Sequence, residues 1–425
     1  MNYRILPPDE MLQARVTMPP SKSISNRALI LEALTEAPGT VSNLAACDDT
    51  EVLAAALAQG PGAREVNVGA AGTSMRFLTA YYAAQDGADV TLDGSERMRQ
   101  RPIAPLVEAL RSLGAEIEYA GEEGFPPLHI RGSKLRGGEV ELEAGISSQY
   151  ISALLMVAPL MEQGLTLRLR GEIASRPYIT MTLAMMAARG VEADFEGNVI
   201  TVKPQAYRAA DTTVEGDWSA AAFWLEIAAV SCGFITLDGV TLDSIQGDRV
   251  AARLFASLGI DTVPGEEGGL DLMASPDQDA RFTADLASCP DLAQAIIVTC
   301  ALVGIPFRIT GLHSLRIKET DRLEALRREL AKIGVAVEIE GDNVMEWTGR
   351  RLPITQMPVF DTYADHRMAM AFAPTALCIP GIIVNDIEVV SKSYPEYWDH
   401  LREAGFTLLD ASEPWEQPAA GEETD

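Results

Sequence analysis

Residues 20–34 read Pro-Ser-Lys-Ser-Ile-Ser-Asn-Arg-Ala-Leu-Ile-Leu-Glu-Ala-Leu, a polar opening that leads into an apolar run. The length and spacing of the apolar run favour a helix, which places the polar residues at the helix N-terminus. The same combination occurs at five further places, which begin at Gly69, Gly145, Glu215, Ser288 and Tyr363. A pattern repeated in this way predicts a modular architecture and decides the fold.

The second part of each unit is an amphipathic segment that ends at a glycine and continues as alternating polar and apolar residues. The glycines are Gly114, Gly190, Gly259, Gly334 and Gly405. Glycine is common just beyond a helix because it adopts the left-handed conformation without a Cβ penalty. Residues 194–200 and 338–344 indicate hairpins that turn on Gly-Asn and Gly-Asp. Each unit of about 70 residues is therefore predicted to be βαβαββ.

Six such units exceed what one hydrophobic core normally holds, so we expect an α/β protein of two similar lobes with three units each. The predicted boundaries give one lobe from 18 to 215 and a second lobe from 216 to 410 together with residues 1–17. Residues 411–425, rich in Glu, Pro and Ala, are expected to be a disordered acidic tail. The alternative is an ordinary α/β protein in which helices and glycines alternate without a true repeat.

The composition excludes several classes of protein. The chain has 425 residues with 34 Lys or Arg against 61 Asp or Glu, which gives a formal net charge of −27. Proteins that bind nucleic acid or anionic membranes normally present a basic surface, so we expect neither partner.

The cysteines and the apolar segments favour a cytoplasmic protein. The chain has five scattered cysteines without a C-x-x-C pair, so neither a disulfide framework nor a zinc site is predicted. The first residues lack an apolar signal core, and the apolar stretch 292–307 is too short to cross a bilayer. We therefore expect reduced thiols and no membrane segment.

Several predicted helix N-termini carry cations, which is unfavourable because the N-terminal end of a helix is itself positive. These cations are Lys22, Arg27, Arg76 and Arg367. A bound anion would compensate by accepting hydrogen bonds from both the side chains and the free backbone N–H groups. Read singly, Ser147-Ser148-Gln149, Lys318-Glu319-Thr320-Asp321-Arg322 and Asp365-His366-Arg367 also fit ordinary caps and surface ion pairs. Their recurrence at equivalent positions favours a common anion-binding cleft.

Seven motifs resemble the family of EPSP synthase (3-phosphoshikimate 1-carboxyvinyltransferase). They occur in order between about residue 18 and about residue 398: Pro20 to Arg27, Ala71 to Arg76, Arg101-Pro102-Ile103, Ser147-Ser148-Gln149, Ser175 to Tyr178, Lys318 to Arg322 and Asp365 to Met370. The resemblance implies an inside-out α/β fold of two lobes, each of three βαβαββ units, with helix N-termini directed into the cleft. It also implies a transferase of the shikimate pathway, which supplies chorismate and the aromatic amino acids, and we expect it to be a monomer.

The reaction implied by the resemblance is an addition followed by an elimination. The 5-hydroxyl of shikimate 3-phosphate adds to phosphoenolpyruvate, and phosphate then leaves, without a metal or an organic cofactor. Asp291 would accept the hydroxyl proton, Glu319 would protonate the methylene carbon and later remove a methyl proton, and Lys22 can also move a proton. A carboxylic acid that donates at neutral pH needs a raised pKa, which we expect to result from closure of the cleft.

The resemblance assigns two sets of binding residues. Shikimate 3-phosphate would be held by Lys22, Ser23, Arg27, Ser147, Ser148, Gln149, Ser175, Tyr178, Asp291, Ser314 and Lys318. Phosphoenolpyruvate would be surrounded by Lys22, Gly72, Thr73, Arg101, Gln149, Glu319, Arg322, His366, Arg367 and Lys392. Three positions depart from the family pattern: Ala70 and Ser314, where Asn is common, and Phe77, where Pro is common. Gly72 leaves room for the inhibitor glyphosate, whereas Ala70 and Phe77 are reasons why inhibition would fail.

Two other functions remain open at this stage. The related UDP-N-acetylglucosamine enolpyruvyl transferases share the fold and the chemistry but typically use a loop cysteine, and this chain has no cysteine between Ala84 and Arg101. The second alternative is a non-catalytic protein that binds anions on the same scaffold. Binding alone does not require Glu319, Asp291 and Lys22 together.

Overall fold

The computed structural model describes residues 1–413 except Pro38, Ile146 and Ala174, so the predicted tail lies outside the described residues beyond Glu413. The α-helices of the described part are α1 (Lys22–Ala33), α2 (Asp48–Gln59), α3 (Gly72–Ala83), α4 (Ala104–Ser112), α5 (Ser148–Val157), α6 (Arg176–Ala188), α7 (Trp218–Ser231), α8 (Ala251–Ala256), α9 (Ala293–Val303), α10 (Arg322–Ala331), α11 (His366–Phe372) and α12 (Tyr397–Glu403). The strands are β1 (Tyr3–Leu6), β2 (Gln13–Thr17), β3 (Val41–Ser42), β4 (Glu65–Asn67), β5 (Asp89–Asp93), β6 (Glu116–Tyr119), β7 (Leu128–Arg131), β8 (Gly138–Glu143), β9 (Leu165–Arg170), β10 (Ala193–Glu196), β11 (Val199–Val202), β12 (Thr212–Thr213), β13 (Phe234–Asp238), β14 (Leu258–Pro264), β15 (Leu270–Gln278), β16 (Phe282–Asp285), β17 (Phe307–Thr310), β18 (Glu338–Glu340), β19 (Val344–Trp347), β20 (Val359–Phe360), β21 (Ile382–Val384) and β22 (Thr407–Asp410).

The predicted repeat is visible in the sheets. In the described residues, the strands form five four-stranded sheets and one two-stranded sheet. In the sheet β4-β5-β7-β6, the first two strands are parallel and the last two form an antiparallel hairpin. The sheets made by β8 to β11 and by β16 to β19 have the same order. This arrangement confirms the predicted α/β class.

The unit that contains α1 and α2 differs from the expected βαβαββ pattern. Its sheet consists only of β3 and β12, which pair in parallel with Val41 opposite Thr212. Helix α2 ends at Gln59 and β4 of the next unit begins at Glu65, so the connection is too short to contain a hairpin. The physical reason for the missing strands is therefore the length of this segment.

The N-terminal strands complete sheets that otherwise come from the second half of the chain. Strand β1 lies between β21 and β22, and β2 pairs in parallel with β13, with Gln13 opposite Phe234. The buried apolar side chains likewise form two clusters, one from residues 24–214 and the other from residues 5–18 and 218–406. Helix α9 is apolar on all sides and is buried against α7 and α11 within the second cluster.

The glycines that end the amphipathic segments have the predicted backbone conformation. Gly114, Gly190, Gly334 and Gly405 have φ between 75° and 108° just beyond α4, α6, α10 and α12. Gly259 also has positive φ, at 87°, but it lies at a bulge inside β14. The hairpins predicted at 194–200 and 338–344 are present as β10–β11 and β18–β19.

The described cysteines are all free, and none of the described helices has the length and apolar character needed to cross a bilayer.

Glu226 is buried in α7 without a hydrogen-bond partner for either carboxylate oxygen among the described residues. Burial raises the pKa of Glu226 well above its usual value. The folded protein therefore holds a proton that the unfolded chain releases above about pH 4.5, so this group lowers stability as pH rises. We expect Glu226→Gln to stabilise the protein at pH 8 by roughly 1–3 kcal/mol and to have little effect at pH 4.5.

Thermal unfolding at the two pH values measures this effect, with the exposed Glu192→Gln as the matched control. A melting temperature that changes equally at both pH values in Glu226→Gln would contradict the assignment.

Candidate active site

The N-termini of helices from both halves of the chain meet at one cavity. Every binding residue implied by the sequence lines this cavity except Lys392, which lines an adjoining cavity together with Arg101 and Glu319. The structure thus brings together side chains that are separated by up to about 370 positions in the sequence. Charged and hydroxyl side chains dominate the lining, which suits small anionic ligands.

The helix N-termini around the cavity differ in their capping. Helices α3 and α6 have no side-chain hydrogen bond at their N-terminal caps, whereas the first backbone N–H of α1, that of Lys22, donates to Asp217 Oδ2 at 3.2 Å. Helices α7, α10 and α11 are capped by Asp217, Asp321 and Asp365. The uncapped N–H groups of α3 and α6 therefore remain able to bind anions. The capping interpretation is correct for Asp321 and Asp365, and Ser147 also caps α5.

Arg27 is a buried cation on the floor of the cavity. Its guanidinium donates to Thr182 Oγ1 at 2.8 Å and to Ser152 Oγ at 3.1 Å, and it makes no ion pair within the described part of the chain. Burial lowers the pKa of Arg27 to about 10. A buried charge without a counter-ion is costly, so this position favours an anionic ligand such as a carboxylate.

Arg101 is a second cation that makes no ion pair with any described residue. It is 8% exposed, and its side chain has neither a hydrogen bond nor an ion pair to any described residue. The guanidinium lies directly on the N-terminus of α3, where a Cβ added to Gly72 would be 2.5 Å from Nη1. Glycine allows this close approach, because a Cβ at position 72 would displace the guanidinium. Gln149 Nε2 donates to Thr73 Oγ1 at 2.9 Å, so Gln149 also lies against the N-terminus of α3.

Asp291 lies among three cations. Its carboxylate is 3.2 Å from Arg367 Nη2, 3.3 Å from Arg322 Nη1 and 3.6 Å from Lys318 Nζ. Burial acts to raise the pKa of Asp291, but the charges of Arg367, Lys318 and Arg322 outweigh it and hold the pKa well below its usual range. The carboxylate is therefore ionised and can accept a proton from a hydroxyl group.

Glu319 lies between Lys392 Nζ at 3.1 Å and Arg322 Nη2 at 2.9 Å. Burial acts to raise its pKa, but Lys392, Arg322 and Arg101 hold it well below its usual range. The expectation of a raised pKa is therefore wrong for this arrangement, because Glu319 is a counter-ion of these cations. An anionic ligand that binds the same cations would compete with Glu319 and raise its pKa.

Lys22 and His366 lie close to Glu319. Lys22 Nζ is 3.2 Å from Asp49 Oδ2. Burial acts to lower the pKa of Lys22, but Asp49, and after it Cys47 and Glu319, raise the pKa overall, so the amine is charged. Burial and then the charges of Lys22 and Arg367 lower the pKa of His366 well below its usual value, so its imidazole is neutral. Neither ring nitrogen of His366 has a hydrogen-bond partner among the described residues.

Sequence reasoning missed Asp49, which lines the cavity, and Asp248, which lies behind the lining residue Tyr178. Both escaped notice because an acidic residue near a helix start usually indicates only capping. Arg76 was noted as a cation at a helix start, but no ligand was assigned to it. It is buried and donates to the carbonyl oxygens of Gly72 and Pro102 at 3.2 and 3.1 Å, so it supports the segments on either side of Arg101.

Contacts between the two halves close the rim of the cleft. Arg97 donates to the carbonyl oxygens of Lys318 and Glu319 at 3.1 and 3.2 Å. Lys392 Nζ donates to Ala70 O at 2.8 Å, so the position that lacks the common Asn contributes its backbone instead. These contacts hold the two halves of the chain against each other at the edge of the cavity.

A family model described as EPSP synthase (3-phosphoshikimate 1-carboxyvinyltransferase) matches residues 7–60 and 56–401. The chain belongs to the EPSP synthase family. A 3-phosphoshikimate 1-carboxyvinyltransferase of Bacteroides fragilis is 50% identical over 410 residues, which cover 96% of this chain and 99% of that protein. A relative of the same name from Shewanella pealeana is 38% identical and covers 94% of this chain and 99% of that protein.

An EPSP synthase structure from Acinetobacter baumannii supports the fold. It has a TM-score of 0.76 at 22% identity and covers 96% of this chain and 100% of its own. Family membership confirms the predicted enzyme class, a carboxyvinyltransferase of the shikimate pathway, and the UDP-N-acetylglucosamine alternative is not favoured.

Proposed function

We propose that Asp291 and Glu319 act as the acid–base pair of an enolpyruvyl transfer from phosphoenolpyruvate to the 5-hydroxyl of shikimate 3-phosphate. Both carboxylates are ionised in the structure, and Arg322 contacts both of them. The observation that carries this proposal is that one guanidinium contacts Asp291 through Nη1 at 3.3 Å and Glu319 through Nη2 at 2.9 Å. The reaction needs one proton acceptor at oxygen and one proton donor at carbon, held a short distance apart.

Shikimate 3-phosphate would occupy the side of the cleft formed by α1, α5 and α6. Arg27 and Ser23 would bind its carboxylate, since Arg27 makes no ion pair among the described residues. Its phosphate would be bound by the hydroxyl and ammonium groups of Ser147, Ser148, Ser175, Ser314 and Lys318, and Tyr178 would lie beside the nearby oxygens. Gln149 would lie near the ring.

Phosphoenolpyruvate would occupy the side formed by α3, α10 and α11. Its carboxylate and phosphate would be bound by the cations of Lys22, Arg101, Arg322, Arg367 and Lys392, with the backbone N–H groups of Gly72 and Thr73 and the neutral His366 beside them. Arginine suits both groups because its guanidinium donates paired hydrogen bonds. The reaction as proposed uses no metal or organic cofactor.

The proton transfers follow from the charges. Binding of phosphoenolpyruvate draws Lys392 and Arg322 away from Glu319, whose pKa rises so that it takes up a proton. In the addition step, Asp291 accepts the hydroxyl proton while Glu319 gives its proton to the methylene carbon. In the elimination step, Glu319 removes a methyl proton as the C–O bond to phosphate breaks, and the surrounding cations stabilise the departing anion.

Phosphate release tests this proposal. We expect release only when shikimate 3-phosphate and phosphoenolpyruvate are both present, and none when UDP-N-acetylglucosamine replaces the former. Binding of each anion without phosphate release would instead support a non-catalytic protein.

The remaining proposals concern organisation. We propose lobes of residues 18–215 and of residues 1–17 with 216–410, on the support of the two buried clusters. We further propose a monomer located in the cytoplasm, without nucleic acid or membrane partners. The free cysteines and the net charge of −27 support the location and the lack of these partners.

Glyphosate should inhibit the enzyme in competition with phosphoenolpyruvate, and Gly72→Ala should weaken this inhibition. The new Cβ would lie 2.5 Å from Arg101 Nη1, so the guanidinium must move away from the helix N-terminus. We expect about a tenfold rise in KM for phosphoenolpyruvate, the loss of roughly one hydrogen bond to a charged group.

Inhibition titrations of both proteins measure the effect. Gly62→Ala is the control because a Cβ there meets no atom within 4 Å. Equal inhibition of wild type and Gly72→Ala would contradict the role given to Gly72, and a saturating titration without inhibition would exclude glyphosate as a ligand.

A further inference from the structure

The hydroxyl of Tyr178 lies between two buried carboxylates, and only one of them, Asp291, has a role so far. The Tyr178 oxygen is 3.3 Å from both carboxylate oxygens of Asp248 and 3.5 Å from Oδ2 of Asp291. On the other side, Asp248 Oδ2 accepts a 2.5 Å hydrogen bond from Ser219 Oγ. Asp248 is only 3% exposed, so its carboxylate depends on protein groups and not on bulk water for its hydrogen bonds.

This arrangement requires the two halves of the chain to be packed together. Tyr178 belongs to the first turn of α6, whereas Asp248 and Asp291 belong to the second half. A Cβ added to Gly247 would lie 2.2 Å from Pro177 Cβ, so the backbone before Asp248 touches the start of α6. Tyr178 therefore connects the two carboxylates only when the cleft is closed.

The two carboxylates differ in proton affinity. The polar and titratable groups that face Asp248 are Asp217 and Ser219 at the start of α7, Tyr178 of α6, Cys289 and Asp291 before α9, and Arg367 of α11. Burial and the charge of Asp291 raise the pKa of Asp248 to about 6. The cations around Asp291 hold its pKa far lower, so a proton shared by the pair belongs on Asp248.

We propose that Asp248 receives, through Tyr178, the proton that Asp291 takes from the attacking hydroxyl group. As the 5-hydroxyl oxygen bonds to the enol carbon, its proton passes to Asp291. Tyr178 accepts that proton and gives its own phenolic proton to Asp248. Asp291 is then a carboxylate again, Tyr178 is unchanged and Asp248 is neutral until it loses the proton to water after the lobes separate. This inference rests on the role proposed for Asp291, and Asp248 acts through that residue without touching substrate.

The pH dependence of kcat separates this relay from a structural role. Wild-type kcat should fall as the pH decreases through about 6, because Asp248 then already carries a proton. Asp248→Asn retains the shape of the side chain but cannot accept a proton. We expect its kcat at pH 7.5 to fall about 10- to 100-fold. The decrease in kcat near pH 6, the acidic limb of the pH profile, should disappear. The affinity for shikimate 3-phosphate should stay within about threefold of wild type.

Ser219→Ala provides a second variant if Asp248→Asn does not fold. The Ser219 hydrogen bond favours the ionised form of Asp248, so its removal raises the pKa of Asp248. The limb near pH 6 should therefore move to higher pH. A structural role of Asp248 would not move this limb.

Three outcomes would overturn the relay. The first is an Asp248→Asn enzyme that retains the limb near pH 6, the second is one that loses only substrate affinity, and the third is an unshifted limb in Ser219→Ala.

Asp291→Asn distinguishes these failures from failure of the proposed base. If Asp291→Asn is inactive while Asp248→Asn has wild-type kcat and pH profile, only the relay is wrong. If Asp291→Asn turns over normally, the base assignment fails and the relay fails with it.

Discussion

Glu319→Gln should lower kcat by about 10²- to 10⁴-fold, the usual contribution of a positioned acid–base group. Glutamine can neither give a proton to the methylene carbon nor remove one from the methyl group, so both half-reactions are affected. The affinity for phosphoenolpyruvate should not weaken, because Lys392 at 3.1 Å and Arg322 at 2.9 Å lose a competing carboxylate. Phosphate-release kinetics and equilibrium binding of each substrate measure the two effects separately.

Glu324→Gln is the matched control for this variant. Glu324 lies on the same helix, α10, but it pairs with Arg327 and Arg328 and does not line either cavity. Its removal should leave kcat unchanged. A Glu319→Gln enzyme with a near-wild-type rate would exclude Glu319 as the proton donor, and a Glu319→Gln enzyme that no longer binds phosphoenolpyruvate would show a binding role instead.

The helix N-termini of the cleft could be predicted because their sequences violate a local rule. Lys22 and Arg27 in the first turns of α1 and Arg367 in the first turn of α11 oppose the helix dipole. Local energetics alone would not place cations there, and the site that they form provides the compensation. The polar openings predicted to begin at Gly69 and Gly145 likewise lead into α3 and α5, which begin at Gly72 and Ser148.

The ionisation of the site could not be predicted from the sequence. Whether Glu319 is neutral or charged depends on Lys392 and Arg101, which are 73 and 218 positions away and reach it only through the fold. Asp248 likewise acquires its raised pKa from burial and from Asp291, a residue on another element. Charge states in a cleft are properties of the packed arrangement, not of the motif.

The net charge of −27 and the cation-rich cleft are compatible because they act over different distances. Most of the carboxylates are dispersed over the surface, where salt screens them beyond about 8 Å. The cations of the site are buried or half-buried and act on a ligand at contact distance. The overall charge therefore bears on nucleic acid and membrane partners but not on a small dianion inside the cleft.

Arg101→Met should raise KM for phosphoenolpyruvate by about 30- to 150-fold, which corresponds to the roughly 2–3 kcal/mol expected for a pair of charge-assisted hydrogen bonds. The affinity for shikimate 3-phosphate should be unchanged, because Arg101 is not among its proposed contacts. Steady-state kinetics with each substrate varied in turn measure this difference.

The stability of Arg101→Met distinguishes a binding role from a structural one. Arg101 has no hydrogen bond or ion pair to a described residue and is 8% exposed, so only the more distant charge of Glu319 offsets the cost of its burial. Methionine removes that cost, and the melting temperature should stay the same or rise. Arg101→Lys retains the charge but not the paired donors, so its KM should lie between those of Arg101→Met and wild type. A large fall in melting temperature would mean that Arg101 supports the fold, and an unchanged KM would remove it from the phosphoenolpyruvate site.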